Sequence, residues 1–257
     1  MENLAAALAG ANLNIPVSTA ISMQPLSTSY PPSAGDFSDA AKPIMTQIAN
    51  FLKSKGYPLL VNVYPYFARA GDPANVDLDL ALFRPGSTVV RDEGRTYLNL
   101  FDSMTDATYA ALEKVGAGDV EIVVSETGWP SDGGADAGVE NAQTYVNNLM
   151  GHVASGKGTP RRPGKQVEAY IFALFNENMK PEGVEQHWGL FYPNLAPVYQ
   201  LNTPGGKIGS NPTPVYQLNT HAGNSASGKR INTLTVEKQV IFMACLVYLT
   251  HPCFATW

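Results

Sequence analysis

The feature that most restricts this chain is the alternation of short apolar runs with amphipathic helical patterns between about residues 4 and 200. Extended runs lie at residues 15–21, 59–67 (LLVNVYPYF), 120–125 and 167–175, and an alanine-rich helix precedes the first of them. Between them, Ile44, Ile48, Phe51 and Leu52 mark one helix face that ends at Gly56, a plausible C-cap. Leu100, Phe101, Met104, Ala111, Leu112 and Val115 mark a second face that stops at Gly116. Val139, Ala142, Val146, Leu149, Met150 and Val153 mark a third. The run at 120–125 is apolar almost throughout, as in a strand covered on both faces. Strands and helices alternating at this rhythm predict an α/β fold with a parallel sheet of βα units. A closed (β/α)₈ barrel takes eight strands and typically about 250 residues. Half a barrel, or a small open sheet, is what the pattern supports.

Composition removes several function classes. The 257 residues carry a net charge of −5 and no polybasic stretch, so nucleic acid is not expected as a partner. The two cysteines, Cys245 and Cys253, both lie in the last 13 residues, which leaves the body without a disulfide framework or thiolate chemistry. His152, His187, His221 and His251 are scattered without ligand spacing, so neither a metal nor another cofactor is expected. The N-terminus has Glu2 where a signal peptide needs basic residues, and no Asn-X-Ser/Thr site with an allowed middle residue occurs, so secretion has no local signature.

Two regions are expected: a body at 1–202 and an atypical tail at 203–257. PVYQLNT occurs at 197–203 and again at 214–220, a single duplication rather than a solenoid. The tail is expected to be largely disordered, with one short apolar segment at 240–249, about half the length a membrane span needs. Small residues at 223–228 before that segment loosely match a glycolipid-anchor signal. An improperly spliced or read-through end is the plainer reading.

The candidate chemistry sits where strands end. The stretch IVVSETGWPSDGG at 122–134 runs from an apolar strand into Glu126 and then a tight turn carrying Trp129. Glu177 follows the run at 167–175, with Lys180 and Glu185 a little further on, and Asn62, Tyr64 and Tyr66 lie toward the end of the run at 59–67. Acid, amide and aromatic groups on one rim suit sugar cleavage, which needs a carboxylate at the anomeric carbon and a flat apolar plate for the ring. A single acid at a loop start is as commonly a solvated residue or a helix cap, and Glu177, Lys180 and Glu185 also read as a surface ion-pair network. Trp129 reads equally as packing for its turn, and Phe172 and Phe175 as core.

IVVSETGWPSDGG resembles the active-site signature of glycoside hydrolase family 17, the plant β-1,3-glucanases and their licheninase relatives. TSYPPSAGDF, LLVNVYPYF, NLFD, YAALEKVG, GTPRRPG, EAYIFALFNEN and WGLFYPN agree with it, so the resemblance covers residues 1–202. It implies a (β/α)₈ TIM barrel, of which this chain carries the last four βα units. It also implies retaining endo-hydrolysis of β-1,3-glucan in cell walls, in defence or wall remodelling. By that resemblance Glu126 is the nucleophile, and Glu177, Lys180 and Glu185 form an accessory charged cluster that orients it and favours its ionised form. Asn62, Tyr64, Tyr66 and Trp129 would contact glucose rings. The resemblance further implies a monomer, an extracellular, cell-wall or vacuolar location, and no membrane span.

One departure stands out. The family's general acid is a glutamate in a Gly-Asn-Glu motif some 100 residues before the signature, and no Gly-Asn-Glu occurs here. The sequence therefore reads as a truncated gene model or fragment, the C-terminal half to two-thirds of a glucanase, inactive or nearly so. General acid catalysis is commonly worth about 10²–10⁴-fold. Two rivals follow: a non-catalytic β-glucan-binding protein that keeps the aromatic cleft, and a membrane-anchored wall protein whose tail matters.

Overall fold

A computed structural model describes residues 1–203 and 206–208. Its ten strands are β1 (Ala20–Ile21), β2 (Leu26–Thr28), β3 (Asp36–Phe37), β4 (Leu59–Asn62), β5 (Val90–Asp92), β6 (Arg95–Tyr97), β7 (Ile122–Thr127), β8 (Glu168–Ile171), β9 (Leu201–Thr203) and β10 (Gly206–Ile208). Its six α-helices are α1 (Glu2–Gly10), α2 (Lys42–Lys55), α3 (Pro65–Gly71), α4 (Leu78–Ala81), α5 (Leu100–Lys114) and α6 (Val139–Ala154). The main sheet has four strands in the order β1-β4-β7-β8, every pair parallel. Helices return the chain between them, as right-twisted βα units require. The expected four-strand parallel sheet is therefore present, with β1 and β8 at its edges.

The helices form where the pattern places them. α2 opens with a proline in its first turn and stops at Gly56, whose φ of 66° is the left-handed cap conformation. α5 is less ordinary, because every residue from Leu100 to Leu112 is buried. The loop at 32–35, the β2–β3 and β5–β6 hairpins and the segment at 157–165 cover the side turned from the sheet. Its polar residues are buried with partners. Asn99 caps the first turn by accepting the Asp102 N–H at 2.7 Å, and Asp102 meets His152 of α6 at 2.8 Å. Thr105 and Thr108 return their hydroxyls to carbonyls four residues back.

Several boundaries differ from the sequence pattern, each for a local reason. The run at 59–67 is not one strand: Pro65 lacks the N–H a central strand needs and begins α3 instead. Tyr66 is thus helical, and Tyr64 is its N-cap residue. Only Ala20–Ile21 of the run at 15–21, and Glu168–Ile171 of the run at 167–175, join the sheet. β7 extends to Thr127, so Glu126 lies within the strand rather than after it. At the start of the tail, Gly206–Ile208 pairs antiparallel with Leu201–Thr203, and Asn147 of α6 accepts the Asn202 N–H beside that hairpin. The apolar segment at 240–249, the repeat at 214–220 and both cysteines lie outside the described residues.

Candidate active site

Parallel strands deliver their C-terminal ends to one rim. There Asn62 of β4 stands opposite Glu126 of β7. Glu126 is partly exposed, and its Oε2 accepts a hydrogen bond from the Tyr64 hydroxyl at 2.9 Å. Tyr64 leaves β4 in extended conformation just before α3, which swings its ring over the neighbouring strand end. Burial pushes its phenol far above the usual tyrosine range, and the charge and hydrogen bond of Glu126, then the charge of Glu185, push it further. Tyr64 therefore stays a neutral donor, and its proton fixes one oxygen of Glu126 while the other remains available.

The charged cluster assembles on the same rim. Lys180 Nζ lies 2.7 Å from Glu177 and 3.6 Å from Glu185, and it sits 5.2 Å from the Phe172 ring centre. Phe172 links this cluster to the acid, since its ring lies under Lys180 and edge-on to Tyr64 at 6.4 Å, and Tyr64 bonds Glu126. The segment at 183–184 also packs directly on the turn after β7, where a side chain on Gly133 or Gly134 would collide with it. Glu126, Tyr64 and the Glu177–Lys180–Glu185 set are thus one neighbourhood, built from three strand ends. Among the described residues, no group of three or more His, Cys, Asp or Glu side chains is arranged to hold a metal.

Two of the residues expected to contact sugar, Trp129 and Tyr66, are buried. Trp129 is 1% exposed, donates its indole N–H to the Asp136 carbonyl at 2.9 Å, and packs against Tyr66 and Tyr145. Tyr66 is 3% exposed, with its ring wedged between Trp129 and Trp188. Neither offers a free face, because the turn after β7 folds back over both. Asn62 accepts the Ser125 hydroxyl at 2.7 Å, so its carbonyl end is engaged within the sheet.

The exposed aromatics are others. Phe67, on the first turn of α3, is 45% exposed and contacts Tyr64 and Trp188 edge-on or tilted. Phe175 is 38% exposed, against the expectation that it is core, whereas Phe172 is partly buried and packs against the core as expected. Trp188 lies beneath them as a buried hub touching Tyr64, Tyr66, Phe67 and Phe172. Strand periodicity could not find Phe67, since its exposure depends on α3 starting at Pro65.

The rim of this α/β protein thus carries a strand-mouth carboxylate held by tyrosine, beside an ion cluster and partly exposed aromatic rings. The chain belongs to the glycosyl hydrolases family 17, whose profile matches residues 1–203. It is 51% identical over 210 residues to glucan endo-1,3-beta-glucosidase GV of Hordeum vulgare, covering 79% of this chain and 65% of that protein. It is 49% identical over 203 residues to lichenase-2 of Hordeum vulgare, covering 79% of this chain and 64% of that one. Its fold superposes with a TM-score of 0.76 on CJP38, a beta-1,3-glucanase and allergen of Cryptomeria japonica pollen, at 52% identity over 78% of this chain and 63% of that one. The chain thus spans under two thirds of the length of these relatives.

Proposed function

We propose that the site serves endo-hydrolysis of β-1,3-glucan by a retaining double displacement, with Glu126 as nucleophile. The observation that carries the reading is the placement of Glu126 at the strand mouth with the Tyr64 hydroxyl on one oxygen. In the first displacement the other oxygen attacks the anomeric carbon; a glycosyl ester forms and the C1–O bond to the leaving sugar breaks. Water then attacks the same carbon and releases Glu126. Tyr64 orients the carboxylate, and the Glu177–Lys180–Glu185 cluster sets the local charge. Phe67 and Phe175 offer the apolar plates that Tyr66 and Trp129 cannot. The 1,3 linkage follows the names of the glucosidase and pollen relatives, with lichenan as the comparison substrate. A monomer acting on wall glucan, outside the cell or in the vacuole, completes the proposal. No helix among the described residues is long and apolar enough to cross a membrane.

A departing sugar alkoxide needs a proton, and a retaining pair holds its acid about 5–5.5 Å from the nucleophile. The 257 residues contain no Gly-Asn-Glu, and the hydrogen-bond partner at Glu126 is a phenol. The polypeptide as written is therefore proposed to keep the nucleophilic half of the reaction and to hydrolyse laminarin at least about 10²-fold more slowly than glucanases that have the acid. A 2,4-dinitrophenyl leaving group departs without protonation and isolates that half. The purified chain should release dinitrophenolate from the β-laminaribioside, and Glu126→Gln should abolish it. Binding of laminarin with no dinitrophenolate release would favour the non-catalytic glucan-binding reading instead.

A further inference from the structure

β7 contains one residue more than its neighbours. Against β4, Val124 faces Val61 but Glu126 faces Asn62, so two steps on β7 match one on β4. Against β8, Val124 faces Ala169 and Thr127 faces Ile171, so three steps match two. The extra residue between Val124 and Glu126 is Ser125, and both partners register the same bulge.

The bulge inverts the phase of the strand. Side chains alternate faces in a regular strand, so Val124 and Glu126 would share one and Ser125 and Thr127 the other. Observed burial is different. Ile122 and Val124 join the core under the helices together with Leu59 and Val61, whereas their neighbours Val123 and Leu60 stand outside that cluster on the inner face. Past the bulge, Thr127 meets Tyr145 of α6 and is on the helix side, while Glu126 meets Tyr64 and is on the inner side with Asn62. β8 keeps plain alternation throughout, with exposed Glu168 and Tyr170 and with Ala169 and Ile171 packed toward the core. Without the extra residue, Glu126 would point into the helix layer. A hydroxyl holds that residue in place: Ser125 Oγ donates to Asn62 Oδ1 at 2.7 Å, and the ladder resumes at once through Val63 N–H to the Glu126 carbonyl at 2.9 Å.

We infer that Ser125 is a positioning residue, which turns Glu126 onto the inner face by occupying a bulge pinned through its hydroxyl to Asn62. The inference rests on Glu126 being the nucleophile and gives Asn62 a role separate from sugar contact.

The test is labelling of the 257-residue chain by 2,4-dinitrophenyl 2-deoxy-2-fluoro-β-laminaribioside. The Glu126–C1 ester forms, dinitrophenolate leaves with the bonding electrons, and the ester accumulates. Ser125→Ala should lower the first-order labelling rate constant about 10- to 100-fold, in line with a small misplacement of the attacking atom, and leave the dissociation constant within about twofold. Ser125→Thr, which keeps Oγ, should restore most of the rate. A rate constant unchanged in Ser125→Ala overturns the inference, since a purely structural role would lower the amount of competent protein and not its rate. Should Ser125→Ala fail to fold, Asn62→Ala removes the same hydrogen bond from the other strand, and its rate constant is read in the same way. A crystal structure of Ser125→Ala decides the geometry independently of substrate: loss of the Tyr64–Glu126 hydrogen bond supports the inference, and its retention with Glu126 still opposite Asn62 refutes it. Absence of labelling in the unsubstituted chain would instead count against the nucleophile reading.

Discussion

Glu126 and Asp106 are two acids of one molecule, each beside a tyrosine hydroxyl, and they lead opposite lives. Glu126 stands at the rim with one oxygen bonded to Tyr64 and part of its surface open. Asp106 is fully buried in α5, next to Tyr97, where its Oδ2 accepts the Arg161 N–H at 2.7 Å. Among the described residues no cation forms an ion pair with it; the Arg161 guanidinium engages Glu113 at 2.6 Å instead. Burial pushes the Asp106 carboxyl up to about 6, with Asp102 adding to the rise, against the nearby Thr159 and Tyr97 hydroxyls and the Arg161 N–H, which pull it down. A displaced proton affinity thus marks the acid that no substrate can reach. Chemistry needs access and orientation as well, so a shifted titration alone does not identify a reactive group.

The comparison can be broken at four points. Glu126→Gln removes the proposed nucleophile from an open position and should abolish dinitrophenyl laminaribioside turnover, by more than about 10³-fold, while the unfolding midpoint stays close to that of the unsubstituted chain. Trp129→Ala, three residues along, should do the reverse in kind. It empties a buried aromatic site and should destabilise by about 3–5 kcal/mol in urea unfolding, and any fall in activity should track the loss of folded protein. Asp106→Asn tests the buried acid. A carboxyl whose folded value lies above its unfolded one binds its proton more tightly when folded, so stability is greatest below about pH 4 and declines as pH rises toward 6. That group alone should remove about 3 kcal/mol across the window, and the asparagine variant should lack the decline. Glu113, held low by Arg161 and Arg162, and Asp36, held low chiefly by Lys42, act in the other direction, losing stability as pH falls. The difference between the two proteins at each pH is therefore the readout. Lys165→Ala breaks an exposed pair with Glu121 and should shift stability by less than about 1 kcal/mol, with activity unmoved.

Much of the fold could be read in advance because period and punctuation agreed. α2 ends at Gly56 and α6 starts at Val139 as the apolar spacing indicates, and four strands form one parallel sheet. α5 forms where its apolar face indicates, but its polar positions are buried as well. Asp102 is paired with the Asn99 cap and with His152 of α6, Thr105 and Thr108 bond carbonyls of their own helix, and only Asp106 is reached by a covering loop, through the Arg161 N–H; such loops have no periodicity to announce them. For the candidate site, the sequence located the charged groups on one rim but not which aromatic rings are exposed there. Glu126, Tyr64, Glu177, Lys180 and Glu185 gather on one rim, yet the ring beside the acid in sequence, Trp129, is buried, and Phe67 is open. Which face a ring shows is decided by Pro65 starting a helix and by the turn after β7 folding back, both tertiary outcomes. The bulge at Ser125 is of the same kind, since strict alternation sends Glu126 the wrong way and only pairing with two neighbours reveals the extra residue.

The account depends on Glu126 facing the inside of the sheet, free to attack a sugar. Incubating the chain with the fluorinated dinitrophenyl laminaribioside and mapping the adduct by peptide mass spectrometry addresses this directly. One glycosyl ester on Glu126, absent from Glu126→Gln, is the predicted result. An adduct on Glu177 or Glu185, or none alongside intact laminarin binding, would contradict it.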